Sequence, residues 1–355
     1  MRNTLRYTSI AAAVLAACSI STAYATNGYF AHGYGTKTKA LAGAGVAHSQ
    51  DAMAAATNPA GMVNVGNRLD VGAGWFHPAR SYTVTGNPSG QPGTFPLNPR
   101  KTESDAENFL IPHFGYNKML NPDMAVGVSV FGNGGMNTTY PAFANPNFCP
   151  PGTLATGGFC DGKAGIDLAQ LFIAPTFAQK FAAGKASWGI SAILAYQRFA
   201  ARGIRTFSSM SADPQNLSNN DYDSSTGFGA KLGVEGEVMP GLRLGASYQS
   251  KVAMSEFDKY AGLFAEQGDF DIPSTWTVGL AWDTSSTSTL VFDVQQINYS
   301  EVKAINNSID KLQTQCVPTP PFGPGVGTGC LGASDGVGFG WEDMTIYKLG
   351  YEFSM

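Results

Sequence analysis

Charge is scarce in this chain. Asp, Glu, Lys and Arg make up 14% of its 355 residues, against roughly 25% in an average soluble domain. The net charge of -4 is not organised into a basic stripe, which excludes the electrostatic footprint of a nucleic-acid-binding protein. Long apolar runs are also missing. After residue 25 no stretch approaches the ~18 to 20 residues that a spanning helix needs, and a mean hydropathy of -0.08 argues against a polytopic helical membrane protein. There is no CxxC, and all four histidines precede residue 114, so no metal site or cofactor is expected. His32 and His48 lie in an N-terminal segment and His77 and His113 in the first two expected strands, with no nucleophile motif beside them. No catalytic residues are therefore assigned and the chain is not read as an enzyme.

Glycine and aromatics are abundant. The 43 glycines are about one residue in eight, against ~7% in average usage, and aromatics reach 12%. Aromatics and β-branched residues recur along the whole chain, which excludes disorder. What remains is a β-rich, Gly-rich protein with little charge.

The N-terminus reads as an export signal. Arg2 and Arg6 precede an apolar stretch from Ile10 to Ile20, and Ala23-Tyr24-Ala25 supplies small residues at cleavage spacing. Residues 1–25 are the expected signal peptide, with lipid modification at Cys18 as the competing reading. Export leaves Cys149, Cys160, Cys316 and Cys330 in an oxidising compartment, where an even number suggests disulfides. Three pairings are possible. The two local ones, Cys149 with Cys160 and Cys316 with Cys330, are favoured because each pair sits in one Pro/Gly-rich segment.

From about residue 66 the chain alternates with period two, the signature of strands with two unlike faces. Phe228, Ala230, Leu232 and Val234 form one parity against Gly227, Gly229, Lys231, Gly233 and Glu235. Leu242, Leu244, Ala246 and Tyr248 repeat it, as do Trp276, Val278, Leu280 and Trp282. About ten strands follow, near 68–85, 108–117, 123–140, 166–182, 186–206, 226–238, 242–251, 274–282, 288–304 and 341–353. Their connections are alternately short and long. An outer-membrane barrel has short periplasmic turns and long outer loops, with its apolar face to lipid and its polar face to the lumen. Trp188, Trp276, Trp282 and Trp341, near strand ends, suit interfacial aromatic girdles. The expected class is all-β: a transmembrane antiparallel β-barrel over 68–355, in the outer membrane of a Gram-negative bacterium. Residues 26–67 lack strand alternation and could be a periplasmic linker or a hatch inside the barrel; their small-residue-rich, sparsely charged sequence favours the hatch. They contain a helix-compatible piece around Ser49 to Ala56.

The stretch GYFAHGYGTKTKALAGAGVAHSQDAMAAATNPAG, followed by RLDVGAGWFHPARSYTVTGN, resembles the hatch and first strand of the FadL-type transporters of long-chain fatty acids and aromatic hydrocarbons. Asn58-Pro59-Ala60 is the most specific mark, and the likeness extends through VGVSVFGNGG, AYQRFA and FGWEDMTIYKLGYEF. The resemblance implies passive uptake of hydrophobic compounds. A ligand would be caught among outer loops, held in a pocket beside the hatch, and released sideways at a kink in the third strand. The corresponding residues are Phe131, Gly132, Asn133, Gly134 and Gly135, although those glycines also suit simple relief of crowding. Arg198 matches a carboxylate-binding arginine, with Ser129 as a hydroxyl beside it; a solvated strand-end charge is the alternative for Arg198. No lysine is clearly matched near the last strand, where Lys348 follows Glu342, so an uncharged aromatic or aliphatic hydrocarbon stays open. Phe30, Met53 and Met62 in the hatch are expected to line an adaptable pocket, and Leu263 and Phe264 to form a capture groove in a long loop.

Expected partners are hydrophobic small molecules, outer-membrane lipid and lipopolysaccharide, with the chain a monomer. The competing function is a structural or adhesive barrel. The family closes its barrel with fourteen strands, so ten are expected to represent a C-terminally truncated sequence.

Overall fold

The computed structural model describes residues 27–90, 96–145, 149, 154–319 and 323–353. The export signal and Cys18 lie outside these residues.

Ten strands follow one another around a single antiparallel sheet. They are β1 (Arg68–Phe76), β2 (Phe109–Asn121), β3 (Met124–Asn137), β4 (Gly165–Phe181), β5 (Ala186–Arg202), β6 (Asp223–Met239), β7 (Leu242–Gln249), β8 (Thr275–Ser285), β9 (Ser288–Ile297) and β10 (Met344–Phe353). Each pairs with its sequence neighbours, and a two-residue strand, Ala253–Met254, adds to the edge of β6. Among the described residues β1 and β10 are not paired with each other.

The alternation read from the sequence is the alternation of burial. On β6, Phe228, Leu232 and Val234 are exposed while Lys231 and Glu235 are buried. On β8, Trp276, Val278 and Trp282 are exposed and Thr275, Thr277 and Ala281 buried. The apolar parity therefore faces away from the rest of the chain, the reverse of a soluble barrel. Turns at one end are tight, as at residues 122–123 and 240–241; the connections at the other end are long.

Residues 27–67 pack on the inner face. They hold two short helices, Thr36–Ala40 and Ala54–Thr57, and a 3-10 turn, Pro59–Asn64. The wall is glycine-rich where this segment touches it. A Cβ at Gly115 would stand 2.6 Å from the carbonyl of Ala52, one at Gly189 2.5 Å from that of Pro59, and one at Gly245 2.3 Å from that of Val46. Such contacts leave no room for a side chain, so glycine on the inner parity is set by backbone approach.

Three boundaries differ from expectation. The first strand ends at Phe76, and Ser81–Val84 pairs instead with Arg100–Glu103 in a hairpin of the first long connection. Pro78, which has no N–H for the ladder, marks the break. The ninth strand ends at Ile297 and turns inward at Tyr299. Trp341 lies outside β10 and packs 5.3 Å from the Tyr299 ring, so it belongs to the interior rather than to a girdle.

Both local cysteine pairs are disulfides, Cys149–Cys160 and Cys316–Cys330. Each closes a long connection on itself.

Candidate functional site

The Asn-Pro-Ala motif fastens the N-terminal segment to the wall. Asn58 Oδ1 accepts from the Ala60 N–H at 3.0 Å, capping the 3-10 turn that Pro59 begins. Its Nδ2 donates to the carbonyls of Val46 at 2.6 Å and Val234 at 3.1 Å, joining the segment to itself and to β6. Wall side chains reach for other backbone groups: Ser129 Oγ donates to Ala52 O at 3.1 Å, Ser187 Oγ to Ala60 O at 2.9 Å and Lys231 Nζ to Ala56 O at 2.5 Å. Lys348 Nζ donates to Gly43 O at 3.4 Å, and Asp293 Oδ2 accepts from the Gly45 and Val46 amides. Lys231, Lys348 and Asp293 are thus engaged with main chain, and the buried Glu235 accepts from the side chains of Asn64 and Ser49.

Toward the long-loop end the interior is apolar and aromatic. Phe264 lies 4.7 Å from both Phe199 and Phe270, and Phe270 6.0 Å from Tyr29. Tyr29 stacks on Phe30 at 5.2 Å and meets Tyr299 edge-on at 5.8 Å. Phe131 of β3 stacks on Phe172 at 5.2 Å and touches Tyr34 at 4.5 Å. Met53 and Met254 belong to the same cluster. Leu263 packs against it, but Phe264 is buried within it. Phe264 is thus not an exposed lip: its loop folds down over the mouth and drives the ring inward, as its apolar surface requires.

At the foot of that loop, Asp271 Oδ2 pairs with Lys251 at 2.6 Å, and its Oδ1 accepts from the Met254 amide at 2.7 Å. Burial, and next the charge of Asp271, push the carboxyl of Asp269 up to about 7.

The wall is broken beside the aromatic cluster. β2 pairs with β1 all the way to Phe109, but with β3 only as far as Phe114 and Val130. From Phe131 onward β3 pairs with β4 alone, and its register slips by one residue between Gly134 and Asn137. Gly134 adopts φ 133°, which a side chain would resist, and the extra residue bends the strand. The strands are rejoined above through the first long connection, where Asp105 N donates to Thr139 O at 2.8 Å. The result is an unpaired window bounded by Phe114 and Val130 below and by Asp105 and Thr139 above.

The N-terminal segment sits against this window. Asn133 Oδ1 accepts from the Ala31 amide at 3.0 Å and from the Tyr34 hydroxyl at 3.1 Å, and the Gly134 amide donates to Tyr29 O at 3.0 Å. Phe131, Asn133 and Gly134 therefore join Phe30 and its neighbours in one site. A Cβ at Gly132 would lie 3.7 Å from Ile111 Cγ2, so the β2 side chain crosses the window there.

Arg198 and Ser129 are not brought together. Arg198 shares the outward parity of Leu194 and Tyr196, stands 3.8 Å from Asp167 and covers the Tyr222 ring at 4.2 Å. The inward residue is Gln197, which receives a hydrogen bond from Gln170 at 3.0 Å and donates to Phe270 O at 2.9 Å. Strict alternation through residue 198 carried that signal. Tyr29 and Gln170, not singled out from the sequence, are buried beside the window.

No family model and no curated protein matches the chain. Solved structures do. The Pseudomonas putida toluene transporter TodX is 16% identical, with 93% of this chain and 82% of that one covered at a TM-score of 0.61. The Ralstonia pickettii toluene transporter TbuX is 16% identical, covering 91% and 82% at 0.59. The monoaromatic hydrocarbon channel CymD is 15% identical, covering 91% and 80% at 0.56. At this identity the likeness shows the fold, and the chain has the barrel fold expected from the FadL-type resemblance.

Proposed function

We propose that this chain is a passive outer-membrane channel for hydrophobic compounds, with small uncharged hydrocarbons favoured over carboxylates. The exposed apolar wall suits a lipid environment, and residues 26–67 serve as its hatch. A solute enters among the long loops, partitions into the aromatic cluster around Phe264, Phe270 and Tyr29, and leaves sideways through the window beside Phe131 to Gly135. The observation that carries this reading is the meeting of the two features. The apolar cluster abuts the one stretch where β3 has lost its β2 partner. A lateral exit delivers an apolar molecule to the bilayer without a passage through water, and apolar surface gains roughly 25 cal/mol per Å² removed from water.

The interior favours an uncharged solute. Arg198 faces outward, and Lys231 and Lys348 are bonded to hatch carbonyls. A carboxylate brought into the aromatic cluster would meet no unengaged cation among the described residues to offset its desolvation. No catalytic step enters this reading.

Uptake of toluene by cells carrying wild type or a deletion of Gly132 to Gly135 tests it. The deletion should abolish the difference from cells lacking the protein. Unchanged entry would contradict the route and leave a structural or adhesive wall.

A further inference from the structure

The outer surface of β5 changes character sharply along its length. Trp188, Ile190, Leu194 and Tyr196 are exposed and apolar; the next residue of that parity is the exposed Arg198, followed by the buried Ala200 and the half-buried Arg202. The same border appears on the neighbours, where Ile173 and Leu171 of β4 give way to Asp167, and Leu232 and Phe228 of β6 to Tyr222 just before that strand. The distance from Trp188 to Tyr196 is eight residues, roughly 26 Å of strand, which at a tilt of about 35–45° covers about 20 Å of a lipid-facing band ~25 Å tall and puts Arg198, one step further, at its border. Arg198 and Arg202 therefore stand at headgroup level on the long-loop side, flanking Tyr222 at 4.2 and 5.6 Å.

Directly above lies a groove of about 980 Å³ lined by Arg202, Lys163, Arg205, Asp161, Asn219 and Leu154, among others. Among the described residues none of its three cations is ion-paired. Its Asp161 is occupied: Oδ2 accepts from the Arg205 amide at 2.9 Å and from Asn219 Nδ2 at 2.8 Å. A groove with three cations free of carboxylate partners, of which Arg202 also lies over and hydrogen-bonds Tyr222, opens at the border of an apolar band and matches an anionic amphiphile whose chains lie on the wall below.

We infer that Lys163, Arg202 and Arg205 bind the phosphate of an outer-leaflet glycolipid, with its acyl chains against the apolar surface of β4, β5 and β6. Two guanidinium groups and an ammonium offer charge-assisted hydrogen bonds of the kind phosphate oxygens accept. The lipid and the solute use opposite sides of the wall, so the site is independent of the aromatic cluster. The inference rests on the outer-membrane reading above.

The test uses the full chain in phosphatidylcholine nanodiscs, titrated with bis-phosphorylated lipid A, with lipid A stripped of phosphate, and with inorganic phosphate as competitor. Wild type should bind the phosphorylated lipid at least about tenfold more tightly than the stripped one. Lys163→Gln, Arg202→Gln and Arg205→Gln together should erase that preference while toluene uptake persists. Lys163→Arg with Arg202→Lys and Arg205→Lys should retain most of it. Equal binding of both lipids, a triple variant that keeps the preference, or displacement by inorganic phosphate at equal concentration would overturn the inference. If the protein inserts and transports yet shows no preference, this inference alone falls; if it fails to insert, the outer-membrane reading falls with it.

Discussion

Phe114 pairs with Val130, and above that pair β2 and β3 separate. The separation is filled from inside by hatch residues Tyr29, Ala31 and Tyr34, hydrogen-bonded to Asn133 and Gly134. A break in a membrane wall leaves main-chain groups without ladder partners, which is costly in lipid. Here the hatch satisfies part of that demand.

The hatch depends on Asn58. Asn58→Ala removes the acceptor for Ala60 N–H and the donor for two carbonyls in a buried setting. The cost should be about 3 kcal/mol or more, given about 1–3 kcal/mol for each of the three buried groups left unsatisfied. Amide hydrogen exchange should rise through residues 44–64 while the ladders of β4 to β6 stay protected.

Neighbouring residues on β5 should behave oppositely. Gln197→Ala leaves Phe270 O without its donor and should destabilise by about 1–3 kcal/mol in thermal unfolding. Arg198→Ala removes an exposed, long ion pair and should cost under about 1 kcal/mol, with toluene uptake unchanged. A loss of uptake in Arg198→Ala would restore the lumenal role that the resemblance implied.

The contrast shows what was legible. Ten strands, their outward parity and the two local disulfides could be read because period-two patterning and alternating connection lengths are local properties of the chain. The parity count also placed Arg198 with Leu194 and Tyr196. Less legible was anything that depends on how a loop returns. Phe264 looks exposed in sequence, yet Phe199, Phe257 and Phe270 surround it, residues up to 65 positions away. Gly132 to Gly135 marked a weak strand, but the window itself is visible only where the ladder of β2 runs on with β1 and stops with β3. The glycines of the inner parity read as crowding; the hatch backbone supplies the reason.

The loop over the mouth should respond to pH through Asp269. Its carboxyl binds a proton up to about pH 7 when folded, against the ordinary value near 4 in the unfolded chain. The folded loop thus holds more protons between those limits, so its stability is full below about pH 4 and falls as pH rises toward 7. The protection of amides across 255–272, relative to their intrinsic exchange rates at each pH, should fall over that range in wild type. Asp269→Asn should remove most of the dependence and slow exchange at pH 8.

The central claim is that solute leaves through the window between β2 and β3. Ile111→Cys with Gly132→Cys places two thiols where Ile111 Cγ2 and a Cβ at Gly132 are 3.7 Å apart, within reach of a disulfide. Toluene uptake should drop about tenfold or more in the oxidised double variant and return on reduction, with each single variant active under both conditions. Uptake that is the same with the window stapled and open would contradict the account.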